Sequence, residues 1–324
     1  MPKLIGGFLM VAAMALLLAG CGVQRTLKGQ YYLNLGKYEQ GVQAFREEVR
    51  ENPGDAQAQY FLARYLLALD RPAEAEPALL RAVEVAPGEA EFWFWLGVAR
   101  GVRGNSAGER EAYARVLTLD KAHLQALVYM GHNRIEAQAF AEALKYYDRA
   151  LALWPKAPEP LFNRALSLKQ LGREPEERAA LTAYLDLYPG GPQALLAADE
   201  LNALGDFSYR NHLLGKRRVT LKRICFQPLS ATLDKTSLPS LDLVGDVLEN
   251  NGKLVLHVVA YQHGDPELAK ARALAVREHL LDDHPLIDGR RVRASWFGVP
   301  EALKVGNTAH HQPEAIQLFA TQGM

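Results

Sequence analysis

Two cysteines in 324 residues are too few for a disulfide framework. Nor is there an excess of charge of either sign, because Lys plus Arg and Asp plus Glu both number 37. That disfavours a phosphate-driven nucleic-acid binder, which needs concentrated Lys and Arg, and no nucleic-acid partner is expected. The basic run Lys216-Arg217-Arg218 reads as a solvated patch at a domain boundary. Walker loop, Rossmann glycine fingerprint and paired cysteines are all missing, so no catalytic residue and no cofactor are expected. His310-His311 is the pair that most suggests a metal. Adjacent residues on an extended chain point to opposite sides, however, and no third ligand is evident, so no metal site is expected. Asp282-Asp283-His284 reads as solvated helix end. What the chain does have is 49% hydrophobic and 23% charged residues, enough for a packed core and more than one domain.

The first segment is the most specific signal. Lys3 supplies a positive start, and Leu4 to Leu18 is apolar and Ala-rich, the length of a signal core and short for a membrane span. Leu18-Ala19-Gly20-Cys21 follows. This resembles the lipobox of bacterial lipoproteins. The resemblance implies a signal peptide over 1–20, a lipidated (palmitate-carrying) thiol at Cys21, and, with Gly22 rather than Asp next, the periplasmic face of the outer membrane. Cys225 then has no partner in the chain and reads as a small buried hydrophobe.

A signature recurs every 34 residues: Pro53, Pro87, Lys121, Pro155, Pro189. In the same frame stand small residues at Gly29, Ala63, Gly97, Gly131 and Ala165, and large ones at Phe45, Leu79, Tyr113, Tyr147 and Leu181. Repeats at this period mean a stack of helix pairs. Five units are expected at 22–55, 56–89, 90–123, 124–157 and 158–191, with proline ending each second helix. Gly41, Glu109 and Glu177 occupy a position where Ala would be usual. The pattern looks like the tetratricopeptide repeat, the third unit opening with Trp93-Phe94-Trp95-Leu96-Gly97 and the fourth closing with Ala143, Tyr147, Ala150 and Pro155. Pro192 to Leu204 reads as an amphipathic helix that caps the array.

The resemblance implies a concave groove lined by the first helix of each unit. Two rows carry over: Thr26, Tyr60, Phe94, Val128 and Phe162, then Gln30, Arg64, Val98, His132 and Leu166. Such a strip suits a protein or peptide partner, with a few polar groups to orient it. The alternative is that these rings pack within the array or against the C-terminal region.

The character changes after a linker over 205–216. Val219 to Phe226 alternates as a strand does, Leu238 to Leu248 is helix-like, and Lys253 to Tyr261 is an apolar strand. Asp265-Pro266 opens a helix to His284, and Arg290–Phe297 and Glu314–Ala320 complete two more strands. The order β-α-β-α-β-β over 217–324 predicts one sheet with helices on one face. Ile224-Cys225-Phe226, Leu254 to Tyr261 and Arg272-Ala273-Leu274-Ala275-Val276 make this region resemble the OmpA-like, peptidoglycan-associated domain. The resemblance implies that Arg272 grips a stem-peptide carboxylate. The place of its acidic helper falls near His263 to Asp265, in a shortened loop where Asp265 also caps a helix. A degenerate domain that contacts only protein is the other reading.

The fold class expected is therefore mainly α, a tetratricopeptide solenoid over 21–204 and a small OmpA-like α+β domain after it. The expected function is a non-catalytic outer-membrane lipoprotein scaffold for a cell-envelope machine such as a pilus or secretion system. The alternative is a cell-wall anchor that binds peptidoglycan.

Overall fold

The computed structural model describes residues 26–323; the Leu18–Cys21 motif and the segment before it lie outside the described residues. The chain divides into two compact units at Pro155/Lys156. The first holds α1 (residues 26–34), α2 (Tyr38–Glu51), α3 (Ala56–Ala68), α4 (Pro72–Val85), α5 (Ala90–Val102), α6 (Ser106–Leu119), α7 (Leu124–Glu136) and α8 (Phe140–Leu153). Helix starts at 56, 90, 124 and 158 and at 38, 72, 106, 140 and 174 keep the 34-residue step without slippage.

The repeated positions explain the register. Phe45, Leu79, Tyr113 and Tyr147 are fully buried between helices. Where a ring fills the crossing, the facing residue must be small. A Cβ at Gly97 would overlap the ring of Tyr113, and one at Gly131 the ring of Tyr147. Burying each such side chain stabilises by about 1.5–3 kcal/mol. The residue before each proline leaves the helical region, as proline demands of its predecessor: Asn52 has φ −136°, Ala86 −131° and Trp154 −135°. Asp120, which precedes Lys121, adopts φ −133° as well. The turn is therefore set by the packing of the pairs, and proline only reinforces it.

The second unit holds the fifth pair, α9 (Pro158–Gln170) and α10 (Glu174–Leu187), then α11 (Pro192–Ala203) and the C-terminal sheet. The sheet elements are β1 (Tyr209–Leu214), β2 (Arg217–Lys222), β3 (Leu254–Gln262), β4 (Val292–Phe297) and β7 (Glu314–Gln322), in the order β2-β1-β7-β3-β4. A separate hairpin is formed by β5 (Glu301–Val305) and β6 (Thr308–Gln312). The two remaining helices are α12 (Leu238–Glu249) and α13 (Pro266–Asp283). Leu256, Val258, Ala260, Ile316 and Leu318 of the sheet pack with Leu241, Val244, Leu248, Ala269, Ala273, Val276 and Leu280 of these helices.

Several expectations need correction. The segment 205–216 is no linker: it carries β1, paired antiparallel with β2. The first strand ends at Lys222 and not at Phe226, which forms only an isolated bridge to Leu233. Helix α11 does not cap the repeats in solvent. Asn211 of β1 donates to the Leu195 carbonyl and to Asp199, both at 2.8 Å, and Arg218 pairs with Asp199 at 3.1 Å. Asn211 and Leu214 lie on opposite faces by strand alternation, and Leu214 joins the α12–α13 core. Helices therefore cover both faces of the β1–β2 hairpin.

Candidate functional site

The groove positions of the first unit fall into two depths. Tyr60, Phe94 and Val128 are buried. Tyr60 stacks against Phe92 at 5.0 Å, and Phe94 sits among His123, Tyr113 and Tyr129 at 5.1–5.7 Å between ring centroids. These rings hold neighbouring helices together, and the expectation of an open aromatic row is corrected to internal packing at these three positions. Arg64, Val98 and His132 of the second row are half-buried.

Gln30, Arg64 and Val98 line one cleft of about 460 Å³ with Leu33, Asn34, Tyr38, Leu67, Ala68, Asp70, Pro72, Trp95 and Val102. Among its described lining residues the one cation is Arg64. The guanidinium lies 3.7 Å from the Trp95 ring centroid, a cation–π stack, and donates to the Tyr60 hydroxyl at 2.5 Å. Trp95 in turn donates from Nε1 to Glu91 at 2.8 Å. Among the described residues no carboxylate lies within ion-pair distance of Arg64, whereas most surface arginines of this unit have one. Burial, with Glu91 adding to it, pushes the Tyr60 phenol up to about 12, so at neutral pH it stays a neutral acceptor for Arg64. The hydrogen bonds of His123 and Trp95 and the charges of His123 and Arg64 hold the Glu91 carboxyl below its usual range against its partial burial. The cleft thus offers one fixed positive charge, with apolar Leu67, Val98 and Val102 and polar Gln30, Asn34 and Asp70 on its walls. Trp95 was not among the rows read from sequence; its signal was the Trp93-Phe94-Trp95 triplet, in which neighbouring residues point to different sides of one helix.

Tetratricopeptide-repeat family patterns match residues 26–88, 62–123 and 132–202. This is a tetratricopeptide-repeat protein. The human protein O-mannosyl-transferase TMTC3 is 26% identical over 160 residues, which cover 48% of this chain and 14% of that protein. Among solved structures, PilF of Pseudomonas aeruginosa superposes with a TM-score of 0.50 at 18% identity, covering 55% of this chain and 81% of that one. YrrB, described as a tetratricopeptide protein with an unusual peptide-binding site, gives 0.46 at 18% identity, covering 65% and 95%. The PilF likeness is one of fold.

In the second compact unit, Phe162 and Leu166 of α9 are half-buried, and Phe162 packs on Tyr184 at 5.3 Å. The C-terminal positions are placed differently from either expectation. Arg272 neither opens to a ligand nor decorates an exposed face; it is 5% exposed. It donates to the Ser230 carbonyl at 3.0 Å, to Gln262 at 2.6 Å and to Glu314 at 2.8 Å, and lies over the Phe226 ring. The carboxylate that it grips belongs to its own chain. Asp265 caps α13 through Leu268 N at 2.9 Å, and it and His263 stand exposed in the preceding loop; neither joins Arg272. The Cys225 thiol is half-buried and pushed up by that burial, which makes it a poor nucleophile.

Proposed function

We propose that this tetratricopeptide protein is a non-catalytic scaffold that holds a peptide segment of a partner protein in the Arg64 cleft. One observation carries the reading: Arg64 is fixed over Trp95 in a cleft walled partly by Leu67, Val98 and Val102, and among the described residues no carboxylate, Asp70 and Glu91 included, comes within ion-pair distance of it. A bound segment would place an acidic side chain or chain terminus on Arg64 and aliphatic side chains against Leu67, Val98 and Val102. We also propose that the chain is lipid-anchored through Cys21 at the periplasmic face of the outer membrane and serves assembly of a cell-envelope machine. The support is Leu18-Ala19-Gly20-Cys21.

The C-terminal region is proposed to be a divergent OmpA-like domain. Elements β2, α12, β3, α13, β4 and β7 run in the expected order, and β1 and the β5–β6 hairpin are additions. Its use as a peptidoglycan anchor draws no support from Arg272, whose donors serve Glu314, Gln262 and Ser230.

The test is selection from a random peptide array followed by titration of the best binder. Acidic peptides with flanking aliphatic residues are expected to win. Arg64→Ala should then weaken binding about 10- to 150-fold, the worth of a charge-assisted hydrogen bond, and Val98→Glu should weaken it comparably. Selection of basic peptides, or unchanged affinity in both variants, would refute the cleft as the site.

A further inference from the structure

Helices α12 and α13 bring together side chains that lie far apart in sequence. Asp246 and Glu249, three residues apart, share one face of α12. His284 follows the last residue of α13, and its backbone N–H closes that helix on the Leu280 carbonyl. Ligand atoms of Asp246, Glu249 and His284 all lie within 4.8 Å of one another. The His284 ring is seated rather than loose: it lies on Gly245, where any Cβ would overlap its Cδ2–Nε2 edge. That edge faces Gly245, and Nδ1 lies 3.7 Å from Glu249 Oε1. The side chain of His284 is 12% exposed, so the run Asp282-Asp283-His284 is not the wholly solvated helix end that its sequence suggests.

The local charge is uncompensated. Among the described residues, Asp246 has no ion-pair partner, and Glu249 has only the histidine. Lys216 and Arg217 border the same cleft as Asp246 but do not reach ion-pair distance. Arg291 is spent on the carbonyls of Leu248, Asn251 and Leu254. Two carboxylates and an imidazole with a free edge, without a Lys or Arg between them, are a borderline N/O donor set that suits zinc and similar divalent ions.

We propose that Asp246, Glu249 and His284 bind a zinc-class divalent cation through two carboxylate oxygens and His284 Nδ1, leaving a fourth position for water or a partner's ligand. Zinc bonds of about 2.0–2.1 Å at tetrahedral angles place ligand atoms roughly 3.3 Å apart. Small side-chain rotations closing the 3.7–4.8 Å gaps are enough, because Asp246 and Glu249 sit on one rigid helix face. The proton of the neutral imidazole must then reside on Nε2. Binding ties α12 to α13 at the end of the sheet layer.

The experiment is a calorimetric titration of chelator-treated full chain with Zn²⁺ alone, followed by thermal melts with and without zinc. Wild type is expected to bind one zinc per chain and to melt higher in its presence. Asp246→Asn alters an exposed carboxylate and should leave the fold intact, yet it should weaken zinc binding tenfold or more, as should His284→Gln. His279→Gln, in the neighbouring cluster of Asp242, His279 and Asp283, should leave the affinity unchanged. Absence of zinc binding in the wild type, equal affinity in Asp246→Asn, or loss in His279→Gln in place of His284→Gln would each overturn the assignment.

Discussion

At the residue scale, the turn inside each helix pair shows what the repeat asks of a single position. Gly36, Asp70, Gly104, Gln138 and Gly172 stand 34 apart, and all have positive φ between 56° and 73°. This is the left-handed residue that ends a helix and redirects the chain, a place that favours glycine because no Cβ is strained there. Asp70 tolerates the conformation through its short polar side chain; Gln138 has no such excuse. The left-handed conformation costs an L residue about 1–2 kcal/mol, and glycine loses about 0.5–1 kcal/mol more backbone entropy on folding than alanine. Gln138→Gly should therefore stabilise the protein by about 0.5–1 kcal/mol, read as a higher melting temperature. A lower one would mean that the Gln138 side chain contributes something the strain argument omits. Gly104→Ala is expected to act in the opposite direction.

At the element scale, β1 and β7 pair in parallel only at Leu214↔Ala320, and side chains take over where the backbone ladder stops. His212 Nδ1 bonds the Leu318 carbonyl at 2.9 Å, and Arg210 forks the Glu301 carboxylate at 2.7 and 3.0 Å. Burial holds His212 down at about 4, against an ordinary 6.5. The folded state therefore prefers the neutral ring. Its contribution is intact above about pH 6.5 and is lost as pH falls toward 4, by about 3 kcal/mol when fully protonated. Denaturant melts at pH 7 and pH 4 should show that loss, and His212→Asn should remove most of it. An identical pH dependence in the variant would place the acid sensitivity elsewhere. These elements also mark what the sequence made legible. The helix pairs were readable because their spacing is local and repeated five times, and α12, β3, α13 and β4 because each carries its own apolar period. The β5–β6 hairpin was missed although Gly306-Asn307 is a hairpin dipeptide between alternating residues. The site was readable only in part. Period assigns Tyr60, Phe94 and Val128 to a face, but whether that face is open depends on Phe92, His123 and Tyr129. Likewise Glu314, which occupies Arg272, lies 42 residues further on, beyond any local pattern.

At the scale of the whole molecule, the decisive question is what holds the scaffold in place. No helix of the described residues is long and apolar enough to cross a membrane; in the anchoring proposed above, acyl chains on Cys21 supply the attachment. Each buried methylene contributes about 0.8 kcal/mol; one short chain gives only reversible binding, and two or more hold firmly. Residue 26 lies in helix α1, and a five-residue stretch of chain spans at most about 18 Å when fully extended. The lipid would therefore keep the first tetratricopeptide pair, and with it the Gln30 side of the Arg64 cleft, close to the bilayer surface. A bound segment would then be presented beside the membrane rather than deep in the periplasm. Cys21→Ala should abolish palmitate labelling and move the full chain from the membrane pellet to the soluble fraction, while its affinity for peptides selected by the cleft stays unchanged. Retention of the variant in the pellet after a carbonate wash, with labelling intact, would show that the attachment does not run through Cys21.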